Sequence, residues 1–336
     1  MIGGFQFRLN SNKLQYDFVV HRKITKVVGD SATGKSELVT TVAMKDDAAM
    51  NIHIVCKYEP VEISRAFSDI LYKKLKKLRE VSDAEMIRET LEEYDGYVFF
   101  CDETFSYLFT DEFAVFCKYT DSFFVICCRA KLTNLPYSYA EIYQMKTSGK
   151  YHTLERVYDE YLKFPDLDES SIALIEDSGS GFEFYSHTIK CNSAHGKSNL
   201  PILLKNMEEN EKYSVIIADG AAIGSEIADI IAFKKNAVLF LPESLEYLLL
   251  ASDLFGDLDI DDQLQHTEKY ASGLDFSWEQ FYTDLIVSLT RGKKYQYSKK
   301  RLNPCYIEKC CDDPSCELVK MSDKFKSVIG KYMEKM

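Results

Sequence analysis

Short apolar segments alternate with segments of helical periodicity along most of the chain. Residues 5–28 predict three strands, FQFRL, LQYDFVV and ITKVV, because apolar and polar positions alternate and β-branched residues are frequent. NIHIVC (51–56) predicts another short strand. Residues 61–80 place apolar side chains at helical spacing opposite a lysine-rich face. YVFFC (97–101) and FFVICC (123–128) are continuous apolar runs, as expected of parallel strands buried on both faces. Strands that alternate with helices predict βαβ units and a parallel sheet.

The same alternation starts again after a polar stretch at 165–171, PDLDESS. Four further strands are predicted there, IALIE, TIKCN, YSVIIAD and AVLFLP, each followed by a helix. The charge then changes sign, because residues 253–284 hold nine acids and one lysine whereas residues 291–301 hold six basic residues and no acid. The expected organisation is a first α/β domain at 1–165, a second at 170–290 and a C-terminal segment at 291–336.

Composition agrees with an ordinary globular protein. The chain has 336 residues, of which 46% are hydrophobic and 28% charged, enough for two packed cores. The net charge of −12 argues against a protein that coats nucleic acid, but it leaves a local basic groove open. No run reaches the ~18 apolar residues of a membrane span, and the start lacks a signal segment. We therefore expect a soluble, cytoplasmic protein without membrane association; a homo-oligomer is left open.

The third predicted strand runs into GDSATGKS, which matches the phosphate-binding pattern G-x-x-x-x-G-K-[ST] in the strand-to-helix context that the pattern requires. Its residues are Gly29, Asp30, Ser31, Ala32, Thr33, Gly34, Lys35 and Ser36. The glycines let backbone N–H groups face phosphate oxygens, and the helix N-terminus adds partial positive charge. We expect Lys35 to reach the β- and γ-phosphates of ATP and Ser36 to hold Mg²⁺.

The apolar strand VFFC ends in Asp102 and Glu103, and this arrangement resembles a Walker B strand. The resemblance implies that Asp102 binds Mg²⁺ through water and that Glu103 orients and deprotonates the attacking water. The adjacent glutamate is similar to that of the AAA, RecA and ABC ATPases, although no LSGG-like signature is present. Arg129 follows FFVICC as a sensor-like residue that could contact the γ-phosphate; an ordinary surface arginine is the alternative.

A second G-K-S motif occurs at 191–200, CNSAHGKSNL. Cys191 replaces the first glycine of the pattern, and a side chain there would crowd the turn that admits phosphate. We therefore do not expect a second nucleotide site.

Carboxylates follow the predicted strands of the second domain. Glu176 follows IALI, and Asp219 follows YSVIIA. This order resembles a Toprim domain, which carries a glutamate after its first strand and D-x-D-x-x-G after its third; the resemblance covers about residues 170–250. In the OLD-family nucleases a Toprim domain follows a P-loop ATPase domain, as here. The resemblance implies that Glu176 and Asp219 bind Mg²⁺ and that the domain acts on nucleic acid, in OLD-type proteins as a defence against foreign DNA.

The second aspartate of that pattern is Ala221 in this chain. Its loss weakens a two-metal mechanism, although Glu176, Asp177, Asp219 and Glu226 could still hold one cation. PESLE (242–246) begins the next helix and could lend an acid to the same end of the sheet. Two alternatives stay open. The carboxylates could simply cap helices, or the chain could be an ATP-dependent regulatory switch whose degenerate Toprim-like domain only binds a protein partner.

The C-terminal segment carries two further patterns. RGKKYQYSKKR (291–301) mixes cations with tyrosines, a combination that suits nucleic acid because cations neutralise phosphates and aromatic rings stack on bases. The alternatives are a linker, or an arm docked on the acidic stretch before it. Four thiolates within twelve residues fit a tetrahedral Zn²⁺, although C-x₄-C-C-x₄-C is not a standard spacing; free thiols or redox pairing are the alternatives. They belong to Cys305, Cys310, Cys311 and Cys316.

Overall fold

A computed structural model divides the chain into two compact units. The first comprises residues 3–157 with 268–277, and the second comprises 158–267 with 278–336, together with residues 1–2. The residues described are 4–29, 33–78, 81, 83–135, 141–157, 170–187, 189–207, 213–220, 222–251, 255, 259–271 and 278–306. Both units are α/β, as predicted, and the described part of the C-terminal segment belongs to the second unit.

The first unit is built on a nine-stranded sheet with the order β4-β1-β2-β9-β8-β3-β7-β6-β5. Its strands are β1 (Phe5–Asn10), β2 (Gln15–Val20), β3 (Ile24–Val28), β4 (His53–Val55), β5 (Glu59–Glu62), β6 (Tyr97–Asp102), β7 (Phe123–Cys127), β8 (Glu141–Ser148) and β9 (Tyr151–Arg156). Five neighbouring strands, β8, β3, β7, β6 and β5, are parallel. Because β7 lies between β3 and β6, the residues that follow these three strands meet at one edge of the sheet.

Four helices complete the described part of this unit: α1 (Lys35–Ala43), α2 (Arg65–Leu78), α3 (Ala84–Leu91) and α4 (Asp111–Tyr119). One core lies between α1 and the sheet, where Leu38 and Val42 of α1 share a buried cluster with Phe7 and Phe100. The continuous apolar runs at β6 and β7 are buried almost throughout, as a strand in the middle of a covered parallel sheet requires.

The sequence pattern missed three strands of this sheet. β5 reads EPVE and is polar, but it lies at the sheet edge beside β6, where Pro60 is tolerated. β8 and β9 form an antiparallel hairpin around Gly149, which has a φ of +61°. Their ends are exposed and polar, so neither strand shows a long apolar run.

The second unit contains a four-stranded parallel sheet with the order β11-β10-β12-β13. Its strands are β10 (Ile172–Ile175), β11 (Lys190–Ser193), β12 (Val215–Ile217) and β13 (Val238–Phe240). The helices that follow are α5 (Ser180–Ser186), α6 (Leu200–Asn206), α7 (Ile227–Phe233), α8 (Leu245–Ala251), α9 (Asp261–Gln265), α10 (Thr267–Tyr270) and α11 (Trp278–Thr290), and the unit boundary falls within α10. All four predicted strands are present. Across the described residues, no helix is both long and apolar enough to cross a membrane.

Candidate functional site

The first G-K-S motif lies where β3 passes into α1. Gly29 and Gly34 have φ angles of +148° and +93°, which side chains disfavour. Lys35 is the first residue of α1 and is buried. Its ammonium donates to the Gly29 carbonyl oxygen at 2.6 Å and to Thr33 Oγ1 at 3.2 Å, so the lysine folds back across its own loop. Ser36 is exposed in the first helical turn, while Asp30, Ser31 and Ala32 lie outside the described residues.

An acidic pair stands at the same edge of the sheet. Asp102 ends β6, and its Oδ1 accepts a hydrogen bond from the Thr104 N–H at 3.0 Å. Glu103 forms an ion pair with Arg129, with 2.8 Å between Oε1 and Nη2. This hydrogen bond is the main reason that the pKa of Glu103 is lowered, and the charge of Lys35 lowers it further. Lys35, Glu103 and Arg129 are therefore brought into one electrostatic neighbourhood.

The charges of Asp102 and Lys35 both act on Cys127, the last residue of β7. Burial raises the pKa of the Cys127 thiol, Asp102 raises it further, and Lys35 acts in the opposite direction. Beyond this strand, the Lys26 ammonium donates to the Ala130 carbonyl oxygen at 2.7 Å. This hydrogen bond holds the loop that carries Arg129. Burial lowers the pKa of Lys26.

Three side chains that the sequence did not single out contact the loop before Lys35. Tyr16 donates from its hydroxyl to the Gly34 carbonyl oxygen at 3.1 Å. Thr147 donates to the Thr33 carbonyl oxygen at 3.3 Å and lies 3.0 Å from His152 Nδ1. No motif marks these residues, because two of them belong to the hairpin β8–β9 that the apolar pattern missed.

The second G-K-S motif has a different structure. Cys191 is paired with Ala173 inside the sheet, and β11 continues to Ser193. Lys197 begins a short 3₁₀ helix rather than an α-helix, and its ammonium donates to the Ala222 carbonyl oxygen at 3.2 Å. β11 therefore extends two residues past the position that corresponds to Gly29, whereas β3 ends before Gly29.

Carboxylates of the second unit line one pocket, which we call the acidic pocket. They are Glu176 and Asp177 after β10, Asp219 after β12 and Glu246 in α8. Glu279 in α11 acts electrostatically on Glu176 and Asp219. The Asp219 N–H donates to Glu176 Oε2 at 3.0 Å, so the two strand ends are adjacent. The space beside them holds about 30 Å³ for water-sized groups, enough for an ion or a water but not for a nucleotide.

The electrostatics of the acidic pocket are those of crowded, buried acids. Burial raises the pKa of Glu176 to about 7, and nearby Glu279 adds to this effect. The pKa of Asp219 is also raised, first by burial and then by Glu279, Glu176 and Glu246. A cation placed among these groups would favour their ionised forms.

Neighbouring Asp177 has a structural role. Its two carboxylate oxygens accept the N–H groups of Phe182 at 2.7 Å and Gly181 at 3.1 Å, at the start of α5. The helix-capping alternative therefore holds for Asp177, which also lines the acidic pocket with Glu176 and Asp219.

The C-terminal segment docks at this pocket. Tyr297 donates to Glu246 Oε1 at 2.6 Å, and Lys299 forms an ion pair with Glu279. Burial acts to lower the pKa of Lys299, but Glu279 and the other carboxylates outweigh burial and raise it. Glu279 belongs to the acidic stretch 253–284, so Lys299 contacts that stretch, as the docked-arm alternative expects.

This docking corrects one part of the nucleic-acid prediction for 291–301. Tyr295 and Tyr297 are buried, so their rings are not presented for stacking on bases. The predicted contact with nucleic acid therefore depends on the exposed cations alone. They are Arg291, Lys293, Lys294, Lys299, Lys300 and Arg301, of which Lys299 is ion-paired with Glu279.

Among the described residues, no group of three or more His, Cys, Asp or Glu side chains is arranged to hold a metal ion. Magnesium at Ser36 and Asp102, or at Glu176 and Asp219, stays a prediction. Cys305 is disulfide-bonded, which favours redox pairing over the zinc alternative. Cys310, Cys311, Cys316 and Ala221 lie outside the described residues.

No protein-family model matches this chain, and no curated protein matches it either.

Proposed function

We propose that the first unit binds ATP with Mg²⁺ and hydrolyses it. One observation carries the proposal: a lysine at the start of α1 folds over a loop with two positive-φ glycines, beside an acid–arginine pair on neighbouring parallel strands. Ligand sites of open parallel sheets lie at this edge. A tight strand-to-helix turn alone would not require the buried cation or the charged pair.

Each residue has a role in this proposal. Lys35 exchanges its two loop acceptors for β- and γ-phosphate oxygens, while Ser36 and Asp102 hold Mg²⁺. When bound, Mg²⁺ neutralises charge on the phosphates. Glu103 accepts a proton from water as the water oxygen bonds to the γ-phosphorus. The bond between that phosphorus and the oxygen it shares with the β-phosphate breaks, giving ADP and phosphate.

The ion pair between Glu103 and Arg129 implies that ATP binds before Glu103 can act as the general base. A carboxylate held by a guanidinium is a weak base, because the arginine stabilises the ionised form. A γ-phosphate competes for Arg129, and its binding would release Glu103 to face the water. In this proposal ATP itself, and not ADP, frees the base.

Steady-state hydrolysis and equilibrium binding test the proposal together. Lys35→Ala should abolish binding, because the phosphate charge loses its cation. Glu103→Gln should keep binding and lower kcat about 100-fold or more, as expected when a general base is removed. Hydrolysis by Glu103→Gln at the wild-type rate would show that Glu103 is not the base.

For the second unit, we propose that the acidic pocket binds one divalent cation and that the unit acts on nucleic acid. The proposal is supported by Glu176 and Asp219, which lie together at the carboxyl edge of a parallel sheet. Carboxylate oxygens are the ligands that Mg²⁺ prefers. The resemblance to Toprim domains adds the substrate class and the link to defence.

A specific observation favours the regulatory alternative. The ammonium of Lys299 already supplies positive charge at the acidic pocket, where a metal ion would otherwise act. In that case ATP drives a switch, and the second unit binds a protein partner without cleaving nucleic acid.

Plasmid nicking with Mg²⁺ or Mn²⁺ separates the two functions. If the second unit is a nuclease, Lys299→Ala should increase metal-dependent nicking, and Asp219→Asn should remove it. If neither wild type nor Lys299→Ala nicks DNA or binds the metal, the regulatory function replaces the nuclease.

A further inference from the structure

Three side chains form a row across the sheet beneath the loop that precedes Lys35. Tyr16 lies opposite His152 where β2 pairs with β9, and His152 lies opposite Thr147 where β9 pairs with β8. The Tyr16 and His152 rings are stacked, with centroids 4.5 Å apart and planes 18° from parallel. We refer to these three residues as the Tyr–His–Thr row.

Both outer members of the row hydrogen-bond to the loop backbone. The Tyr16 hydroxyl donates to the carbonyl oxygen of Gly34, and the Thr147 hydroxyl donates to that of Thr33. The middle member limits the space: a Cβ at Gly34 would lie 3.2 Å from His152 Cε1 and 3.3 Å from the Tyr16 hydroxyl oxygen. The row thus contacts the two residues immediately before the phosphate-binding lysine.

The hydrogen-bond chemistry fixes a direction along the row. A carbonyl oxygen only accepts, so the single Thr147 proton goes to Thr33. His152 Nδ1, 3.0 Å from the Thr147 oxygen, must then be the donor of that pair. A neutral imidazole with its proton on Nδ1 satisfies this chain of donors.

We infer that the Tyr–His–Thr row is a positioning device that sets the nucleotide affinity of the loop, and this inference rests on the proposed ATP site. The Gly34 carbonyl oxygen also accepts the Leu38 N–H at 2.9 Å, so Tyr16 holds it together with α1. In a trans peptide the N–H points opposite to the C=O, so engaging the carbonyls of Thr33 and Gly34 directs the N–H groups of Gly34 and Lys35 to the other side, where phosphate oxygens would be received. Its members touch the loop and not the reacting atoms, so they are positioning residues rather than catalytic ones.

Conservative variants of Thr147 give the sharpest test, because its side chain is exposed and its replacement should not disturb a core. Thr147→Val removes the hydroxyl and keeps the shape. It should weaken ATP binding about three- to tenfold, the effect of one hydrogen bond, and raise KM more than it changes kcat. Thr147→Ser should restore the wild-type Kd. Tyr16→Phe should weaken binding by a similar factor.

Thr153→Val is the matched control. Thr153 is the neighbour of His152 on β9 and is exposed, but alternation along the strand places it on the opposite face. Its Kd should match that of the wild type. Amide hydrogen exchange of a peptide covering 29–36, measured without nucleotide, should become faster in Thr147→Val and stay unchanged in Thr153→Val.

The outcomes distinguish this inference from the proposed function. ATP binding that is lost in Lys35→Ala but unchanged in both Thr147→Val and Tyr16→Phe overturns the positioning role alone. If the wild type binds no ATP, the proposed function is wrong and the row does not set nucleotide affinity. Faster loop exchange in Thr147→Val would in that case report only a structural role.

Discussion

The two G-K-S motifs of this chain, GDSATGKS and CNSAHGKS, share five of their eight residues and differ in backbone structure. In the first motif, the strand ends at Val28, before Gly29. In the second, Cys191 is a strand residue, and β11 runs on to Ser193. The same G-K-S ending is therefore preceded by a strand that stops at a different position in each motif.

The two lysines show the same contrast. Lys35 folds over its own loop and contacts Gly29, the other end of the motif. Lys197 instead reaches the carbonyl oxygen of Ala222, in the segment after β12. Lys35 is therefore held where an anion could displace its acceptors, whereas Lys197 links two segments of its own unit.

The largest expected effect is on ATP affinity, when the first residues of the two motifs are exchanged. Gly29→Cys copies the second motif into the first, at a backbone φ of +148° and with a Cβ only 3.0 Å from Thr33 Oγ1. Strain of this kind costs on the order of 1–3 kcal/mol, so ATP binding should weaken about tenfold or more. Isothermal titration calorimetry would measure this loss of ATP affinity. The reciprocal Cys191→Gly should create no binding, and a new ATP site there would contradict our account of the strand.

Removing the guanidinium beside Glu103 should change the pH dependence of kcat/KM for ATP. Arg129 lowers the pKa of Glu103, so Arg129→Gln should return that pKa toward its ordinary value. Glu103 then becomes protonated at higher pH, and the acid limb of kcat/KM for ATP should move upward in pH. Lys131→Gln, an exposed cation two residues later, is the control and should leave the limb in place. An unmoved limb in Arg129→Gln would mean that Glu103 is not the group that titrates.

The second unit should show a smaller effect, on stability. Burial raises the pKa of Glu176 from 4.5 to about 7, so its folded state binds more protons than its unfolded state in this range. The contribution of Glu176 to the free energy of unfolding is complete below pH 4.5 and is lost as the pH rises through 7. The melting temperature of the second unit should therefore decrease as the pH is raised from 4.5 to 7. Lys299→Met should steepen the fall, since the pocket loses a cation, and a pH-independent melting temperature would contradict the arrangement.

The sequence predicts the parts of the fold whose signals are local. β6 and β7 are long apolar runs because both of their faces are covered, and the glycine loop follows a strand by direct connection. β8 and β9 could not be predicted, since a half-exposed hairpin of polar residues has no distinctive pattern. Thr147 and His152 were missed for that reason.

The candidate sites divide in the same way. Glu176 and Asp219 could be predicted because each directly follows a strand, and parallel strands end at one edge. Glu246 could also be predicted, because it lies in the first turn of the helix that follows the next strand. Glu279 comes from a helix distant in sequence, and only the packing of α8 with α11 brings it near. The docking of Lys299 depends on that tertiary pocket, so the basic composition of its segment pointed instead to nucleic acid.

One binding measurement compares the two motifs most directly. ATP with Mg²⁺ is titrated into the wild type, Lys35→Ala and Lys197→Ala, which differ only in which G-K-S lysine is lost. We predict that Lys35→Ala weakens binding at least tenfold, the effect expected when a charge-assisted contact is removed, and that Lys197→Ala keeps the wild-type Kd. Equal losses in both variants, or a loss in Lys197→Ala alone, would contradict the assignment of the nucleotide site to the first motif.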